Sequence, residues 1–466
     1  MPQETRAEKD SMGVMTVPEH ALWGASTQRA VENFPISGYR LGRRFIRALG
    51  LIKQSAAEAN ETLGTVPAEK TALIVKAAQE VIDGSLDDHF VVDVFQTGSG
   101  TSTNMNANEV IANRAIQMSG GVVGSKAPIH PNDHVNQSQS SNDVIPTALH
   151  VSGSEALKGD LIPDLERLAV ALEKNADAFD RIVKIGRTHL QDATPIRLGQ
   201  EFSGYASQIR LGIERAKKAI YALRELPIGG TAVGTGINAH KDFGKTVAAL
   251  LSKKTGLEFV EAANHFEAQH AKDGFVEASG LLRTVALSLG KIANDIRLLG
   301  SGPRCGIGEL KIPATQPGSS IMPGKVNPVM SEMVLQVVAH AIGADAAVTH
   351  AGATLGTLDL HVGMPVMAYH FLESVRILSA AARVFADRCV TGIEADTERT
   401  EQLIEQSLAM CTSLAPVIGY DTAASMAKKA YETGKTVRQV ALEEGVLPED
   451  RLNDLLDARS MTEPSD

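Results

Sequence analysis

Two proline-free stretches, from Pro227 to Pro303 and from Pro365 to Pro416, constrain this chain more than any other feature. Proline removes a backbone donor and clashes with the preceding turn, so segments without it can hold long uninterrupted helices. Inside the first stretch, Ala278, Leu282, Val285, Leu289, Ile292, Ile296 and Leu299 recur at alternating four- and three-residue steps. That is the seam of a helix packed at a shallow angle against its neighbours. Phe371, Val375, Leu378, Ala382 and Phe385 repeat it, and Leu165, Leu168, Leu172, Phe179 and Ile182 do so with one gap. Aromatic residues make up only 4% of the chain, with a single Trp, which suits close-packed helices better than a β-sandwich. The reading is an all-α fold of three parts: residues 1–140 a helical N-terminal domain, 141–395 a long-helix bundle, and 396–466 a small helical domain. Long bundle helices of this kind commonly bury further faces in an oligomer.

The formal charge is 45 − 55 = −10, with no long basic run. Nucleic acid and anionic membrane surfaces are therefore excluded as partners, and an anionic substrate must be held by a local cluster of donors. Cys305, Cys389 and Cys411 are far apart and odd in number, which reads as free thiols in a reducing compartment. The opening Met1-Pro2-Gln3-Glu4-Thr5-Arg6 mixes acids and bases and has no apolar core, so the expectation is a cytoplasmic protein without a leader or membrane anchor.

Four polar stretches, Gln96–Asn108, His130–Pro146, Gly186–Pro195 and Gln316–Pro328, interrupt the helical background. Gly318-Ser319-Ser320-Ile321-Met322-Pro323-Gly324-Lys325-Val326-Asn327-Pro328 carries two hydroxyls, an ammonium and an amide on a flexible loop. It could clamp a carboxylate or a developing oxyanion, and composition alone leaves an ordinary surface loop open. Gln139-Ser140-Ser141-Asn142-Asp143 places small donors before a helical run, with Asp143 as the expected N-cap; capping alone explains one or two of them. Thr97-Gly98-Ser99-Gly100-Thr101-Ser102 is similar, and it lacks the third glycine of a dinucleotide fingerprint. Gly186-Arg187-Thr188-His189, at a break between two helical runs, sets an imidazole beside a hydroxyl and a cation. If Glu332, at the start of a later helix, reached His189, the pair would form a proton shuttle; a structural histidine is the plainer alternative. His130 and His134 have metal-pair spacing, but no further ligand is placed to complete a site, so no metal is expected.

At these residues the sequence resembles the fumarase/aspartase superfamily over nearly its whole length. The Gly318–Pro328 segment looks like that superfamily's signature loop, and Gly186–His189 and Ser138–Asp143 look like its other two conserved regions. Gln96–Thr101, Ser141 and Ser301–Gly306 resemble class II fumarases more than aspartases, while Asn104–Glu109 and Thr188–Ala193 occur in similar form in both. One departure stands out: Asp359-Leu360-His361-Val362 replaces the usual Glu-Leu-Asn-Val.

The resemblance implies a helical homotetramer with active sites drawn from three subunits, interconverting L-malate and fumarate in the citric acid cycle. It implies Ser319 as the base, with His189 and Glu332 at the other proton transfer. Ser99, Gly100, Thr101, Ser140, Ser141, Asn142, Thr188, Ser320, Lys325 and Asn327 would hold the dicarboxylate. His130, Pro131, Asn132 and Asp133 match a second dicarboxylate site. No cofactor is required, and the iron–sulfur route to this reaction lacks its cysteines here. The nearest rival activity is aspartate ammonia-lyase; a rival of another class is a non-catalytic binding relative.

Overall fold

The computed structural model describes residues 4–464, so Met1, Pro2 and Gln3 of the segment read above lie outside the described residues. The chain divides into two compact units. The first comprises the chain up to Pro163 with Glu214–Ala286 and Ala339–Ser379; the second comprises Asp164–Ile213, Leu287–Val338 and the chain from Ala380. Five helices are shared between the units: Ile162–Ala178, Leu198–Ala222, Asp273–Leu299, Val329–Thr354 and Met364–Arg388. At 27 residues, the Asp273–Leu299 helix spans about 40 Å.

The heptad seams are the core. All seven seam residues from Ala278 to Leu299 and all five from Phe371 to Phe385 are buried. The third seam is buried from Leu165 to Phe179, and its gap is filled by Asn175, whose side-chain amide donates to the Val390 carbonyl at 2.8 Å. Ile182 belongs to that pattern in sequence only, because the helix ends at Ala178. The proline-free stretch after Pro227 also differs from expectation. It holds three helices, Phe243–Thr255, His265–His270 and Asp273–Leu299, because Gly229, Gly234, Gly236 and Gly256 take positive φ and break the run.

Helix dominates, yet five two-stranded sheets punctuate it among the described residues. In the first unit, Thr5–Asp10 pairs antiparallel with Gly13–Pro18, a hairpin without a helical counterpart in the sequence reading. In the second, Val183–Thr188 pairs with Gln191–Arg197. The polar patch expected at a break between helices is thus the tip of a β-hairpin. The C-terminal part of the second unit has its own small core of Ile404, Met410, Leu414, Met426, Val440 and Leu452. Its helix Val437–Glu444 opens with a reciprocal Thr436/Gln439 capping box and closes on Gly445 in the left-handed region. No helix among the described residues is long and apolar enough to cross a membrane.

Candidate active site

In the first unit, two helix N-termini meet. The Thr101–Met118 helix starts from Gly100, held at φ 72°, where a Cβ would lie 2.8 Å from the Ile145 side chain. Gln96 satisfies its third turn position, accepting from the Thr103 N–H at 3.0 Å and hydroxyl at 2.8 Å. The Ser141–Ala156 helix starts from Ser140, whose hydroxyl accepts from Asn142 N–H, while Asp143 accepts from Ser140 N–H at 2.9 Å. The N-cap is therefore Ser140. Asp143, expected to cap, is instead the third helical residue and the other half of a capping box, because only Ser140 has the extended backbone a cap requires. Three hydroxyls converge where the helices meet: Ser99 Oγ lies 2.8 Å from Thr101 Oγ1, which lies 2.7 Å from Ser141 Oγ. Partial positive charge at two helix N-termini makes such a cluster an anion cradle.

The cradle rests on a buried polar frame that sequence reasoning missed. Asp143 also accepts from Gly229 N–H at 3.1 Å and Thr231 N–H at 2.9 Å, and Asn142 donates to the Ala232 carbonyl at 2.8 Å. Burial pushes Asp143 up to about 6 against these three N–H groups. Gly230 approaches Gln269 so closely that a Cβ would sit 2.1 Å from Oε1. From the Arg43–Thr62 helix, Lys53 donates to Asn136 and Gln139, both at 2.9 Å, and Asn60 binds the Gln137 carbonyl and the Ser138 hydroxyl. Ser138 is thereby held at φ 63°. The signal was present, since Lys53 and Asn60 stand seven residues apart on a helix face otherwise made of Phe45, Leu49, Ile52 and Ala56. A cavity of about 660 Å³ opens in front of this frame, walled by Thr101, Asn104, Asn136, Ser140, Ser141 and Thr231 among others.

His130, Pro131, Asn132 and Asp133 border a neighbouring cavity or this one. His130 Nδ1 accepts from Asn132 N–H at 3.2 Å and Asp133 N–H at 3.1 Å, so it caps the short turn Pro131–Val135. His134 is engaged at both ring nitrogens, by His130 N–H and Lys70 Nζ, each at 2.8 Å, and is not available to join His130 on a metal. Asn132 and Thr101 line both the 660 Å³ cavity and one of about 390 Å³ that also includes Arg29, Lys126 and His130.

The departure at Asp359–Val362 lies under the same loop. His361 is fully buried; its Nε2 is 3.1 Å from the Ala351 carbonyl and its Nδ1 accepts from Gly363 N–H at 3.1 Å. Burial, reinforced by Lys272, lowers it to about 4, so it is neutral, with the proton on Nε2. The adjoining Val362 carbonyl would sit 2.1 Å from a Cβ on Gly98, and Gly98 accepts from Met364 N–H. His361 thus fixes the floor on which the Thr97–Gly100 loop lies.

In the second unit, Thr188 and His189 occupy the hairpin tip. Gly186 makes the bulge, with the Thr194 carbonyl 2.6 Å from where its Cβ would be. The two turn residues are His189 at φ 55° and Leu190 at φ 60°, a primed turn that normally selects Asn-Gly. Adjacent left-handed non-glycine residues mark a strained position. Beneath it, Glu309 is fully buried and binds Arg187 through two contacts of 2.9 Å, with Lys184 Nζ at 3.3 Å from it and 3.2 Å from Glu201.

The signature loop is exposed along most of its length, and its two ends touch: a Cβ on Gly318 would meet the Lys325 carbonyl at 1.4 Å. Ser319 Oγ accepts from the N–H groups of Ile321 and Met322, at 3.1 and 3.0 Å. Two donors aimed at one hydroxyl oxygen favour its ionised form. Among the described residues, Ser320, Lys325 and Asn327 make no side-chain hydrogen bond or ion pair, and none joins Glu332 to His189.

A lyase family model matches residues 13–343, and one for the fumarase C C-terminus matches residues 410–463. The class II fumarate hydratase of Halobacterium salinarum is 56% identical over 462 residues, covering 99% of this chain and 98% of that protein. The chain belongs to the class II fumarase family. The Mycobacterium tuberculosis class II fumarate hydratase is 54% identical over 96% of this chain and 93% of its own. Among solved structures, a class II fumarase from Schistosoma mansoni superposes with a TM-score of 0.96 at 36% identity, covering 99% of this chain and 100% of that one. A fumarate lyase:delta crystallin from Brucella melitensis gives a TM-score of 0.95 at 46% identity with the same coverage.

Proposed function

We propose that this protein is a fumarate hydratase, interconverting L-malate and fumarate by stepwise anti elimination and addition. The observation that carries the reading is the Ser99–Thr101–Ser141 hydroxyl cluster at two helix N-termini, a receptor for carboxylate oxygens in a family of lyases. Ser140 and Asn142 flank it.

Taking a proton from the carbon beside a carboxylate leaves a carbanion delocalised as a doubly negative aci-carboxylate. Catalysis therefore requires donors that bind this dianion better than malate itself. Lys325, Asn327 and Ser320 on the signature loop, with Thr188 at the hairpin tip, supply them in this reading. Ser319 removes the C3 proton as an alkoxide, with the Ile321 and Met322 N–H groups supporting its charge. His189, directly or through a water, then protonates the departing C2 hydroxyl, which leaves as water while the electron pair forms the double bond. Glu332 orients that imidazole. The working unit is a homotetramer with each site drawn from three copies, in the cytoplasm and serving the citric acid cycle. His130, Asn132 and Asp133 hold a second dicarboxylate.

Ultraviolet absorbance with L-malate and, separately, L-aspartate tests the reading. A rise with malate alone is expected. A rise with aspartate alone would make the protein an ammonia-lyase, and silence with both a non-catalytic relative.

A further inference from the structure

The 660 Å³ cavity presents a charge mismatch. If it receives a carboxylate, its only charged wall residue among the described residues, Asp133, has the wrong sign. A cation lies one layer deeper. Lys53 is fully buried, and its ammonium donates to Asn136 Oδ1 and Gln139 Oε1, neutral amides that both line the cavity. Asn104, another wall residue, donates to the same Asn136 oxygen at 3.2 Å.

No carboxylate lies within ion-pair distance of Lys53 among the described residues; the one acid acting on it is Asp143, from the Ser141–Ala156 helix. Asp143 is itself occupied by the N–H groups of Ser140, Gly229 and Thr231. Charged groups on the other helices packed here are engaged elsewhere: Lys254 with Gln54 and Glu58, and Lys70 with His134. A buried ammonium without a contacting carboxylate is costly, and burial lowers Lys53 to about 7. A neutral glutamine amide would supply a donor to the same loop without that cost.

We infer that Lys53 is a positioning residue whose positive charge, acting through Asn136 and Gln139, holds a substrate carboxylate in the Ser140–Ser141 cradle. This rests on the proposed dicarboxylate chemistry. A dianion bound there supplies countercharge across the two amides and raises the proton affinity of Lys53.

Calorimetric binding of succinate and of its monoamide, succinamate, to the full-length protein separates charge from bracing. In Lys53→Met and Lys53→Gln the succinate dissociation constant should rise about tenfold and that of succinamate markedly less. Equal losses for both ligands, or none, overturn the inference. If neither variant folds, succinate titration of the wild type at pH 7.5 in buffers of different ionisation enthalpy decides: net proton uptake is expected, and its absence overturns the inference. Failure of the functional reading looks different, because the wild type would then bind no succinate and leave malate unchanged, and the inference would fall with it.

Discussion

Replacing Glu309 with Gln should disable the protein without contact with any proposed substrate group. The carboxylate is fully buried and is the shared partner of Arg187 and Lys184 beneath the Val183–Arg197 hairpin. Removing one partner from a buried ionic network costs about 3–5 kcal/mol. Glu201 still lies 3.2 Å from Lys184, so about 3 kcal/mol is the better figure, with the uncompensated charge falling on Arg187. Opposing this bolt is the strain of His189 and Leu190 at positive φ, about 1–2 kcal/mol each and about 2–4 kcal/mol together. The two quantities are comparable, so Glu309→Gln should let the tip relax. A displacement of about 1 Å at a proton-transfer group costs on the order of 100-fold in rate. Hydrogen exchange by mass spectrometry over residues 183–197, alongside malate turnover, checks both halves. Native protection with native turnover would refute the strain argument; faster exchange with native turnover would refute the link from hairpin to chemistry.

Ser319→Ala should abolish malate turnover while leaving the melting temperature unchanged, and near-native rates would remove Ser319 as the base. Gly98→Ala drives a Cβ to 2.1 Å from the Val362 carbonyl, so a loss of about 1–3 kcal/mol in a melting experiment and a raised KM for malate are expected. Acid should destabilise the fold through His150 and His361, both lowered to about 4 chiefly by burial. An unfolded imidazole binds a proton below about 6.5 and the folded ones do not until about 4. Their contribution is thus complete above pH 6.5 and lost towards pH 4, up to about 3 kcal/mol each. Urea midpoints at pH 7 and 5 should differ accordingly in the wild type, and less in His361→Asn.

The helical core was legible because each seam residue answers to one rule, burial on one face at a period near 3.6, and the one gap held the buried Asn175. The hairpin at Val183–Arg197 was not, because its pairing is set by a bulge at Gly186 and by ionic contacts to Glu309, more than 100 residues away. Ser99, Thr101 and Ser141 were picked out individually, but their convergence depends on where two helices begin, and the start of the second was misplaced by the choice of Asp143 as cap. Lys53 escaped notice since a lone lysine on a helix normally extends to water. His361 could be flagged as unusual from sequence, yet only its two ring contacts give it a structural task.

The turn at His189-Leu190 has a consequence for anyone seeking a hardier version of this protein. Asn-Gly at those two positions would fit the backbone without strain and would be an early choice in a stabilising redesign. That substitution would delete the imidazole. With the proton-transfer role proposed for His189, heat tolerance and turnover compete for the same two residues, and selection that rewards only survival at high temperature should drift towards an inert protein.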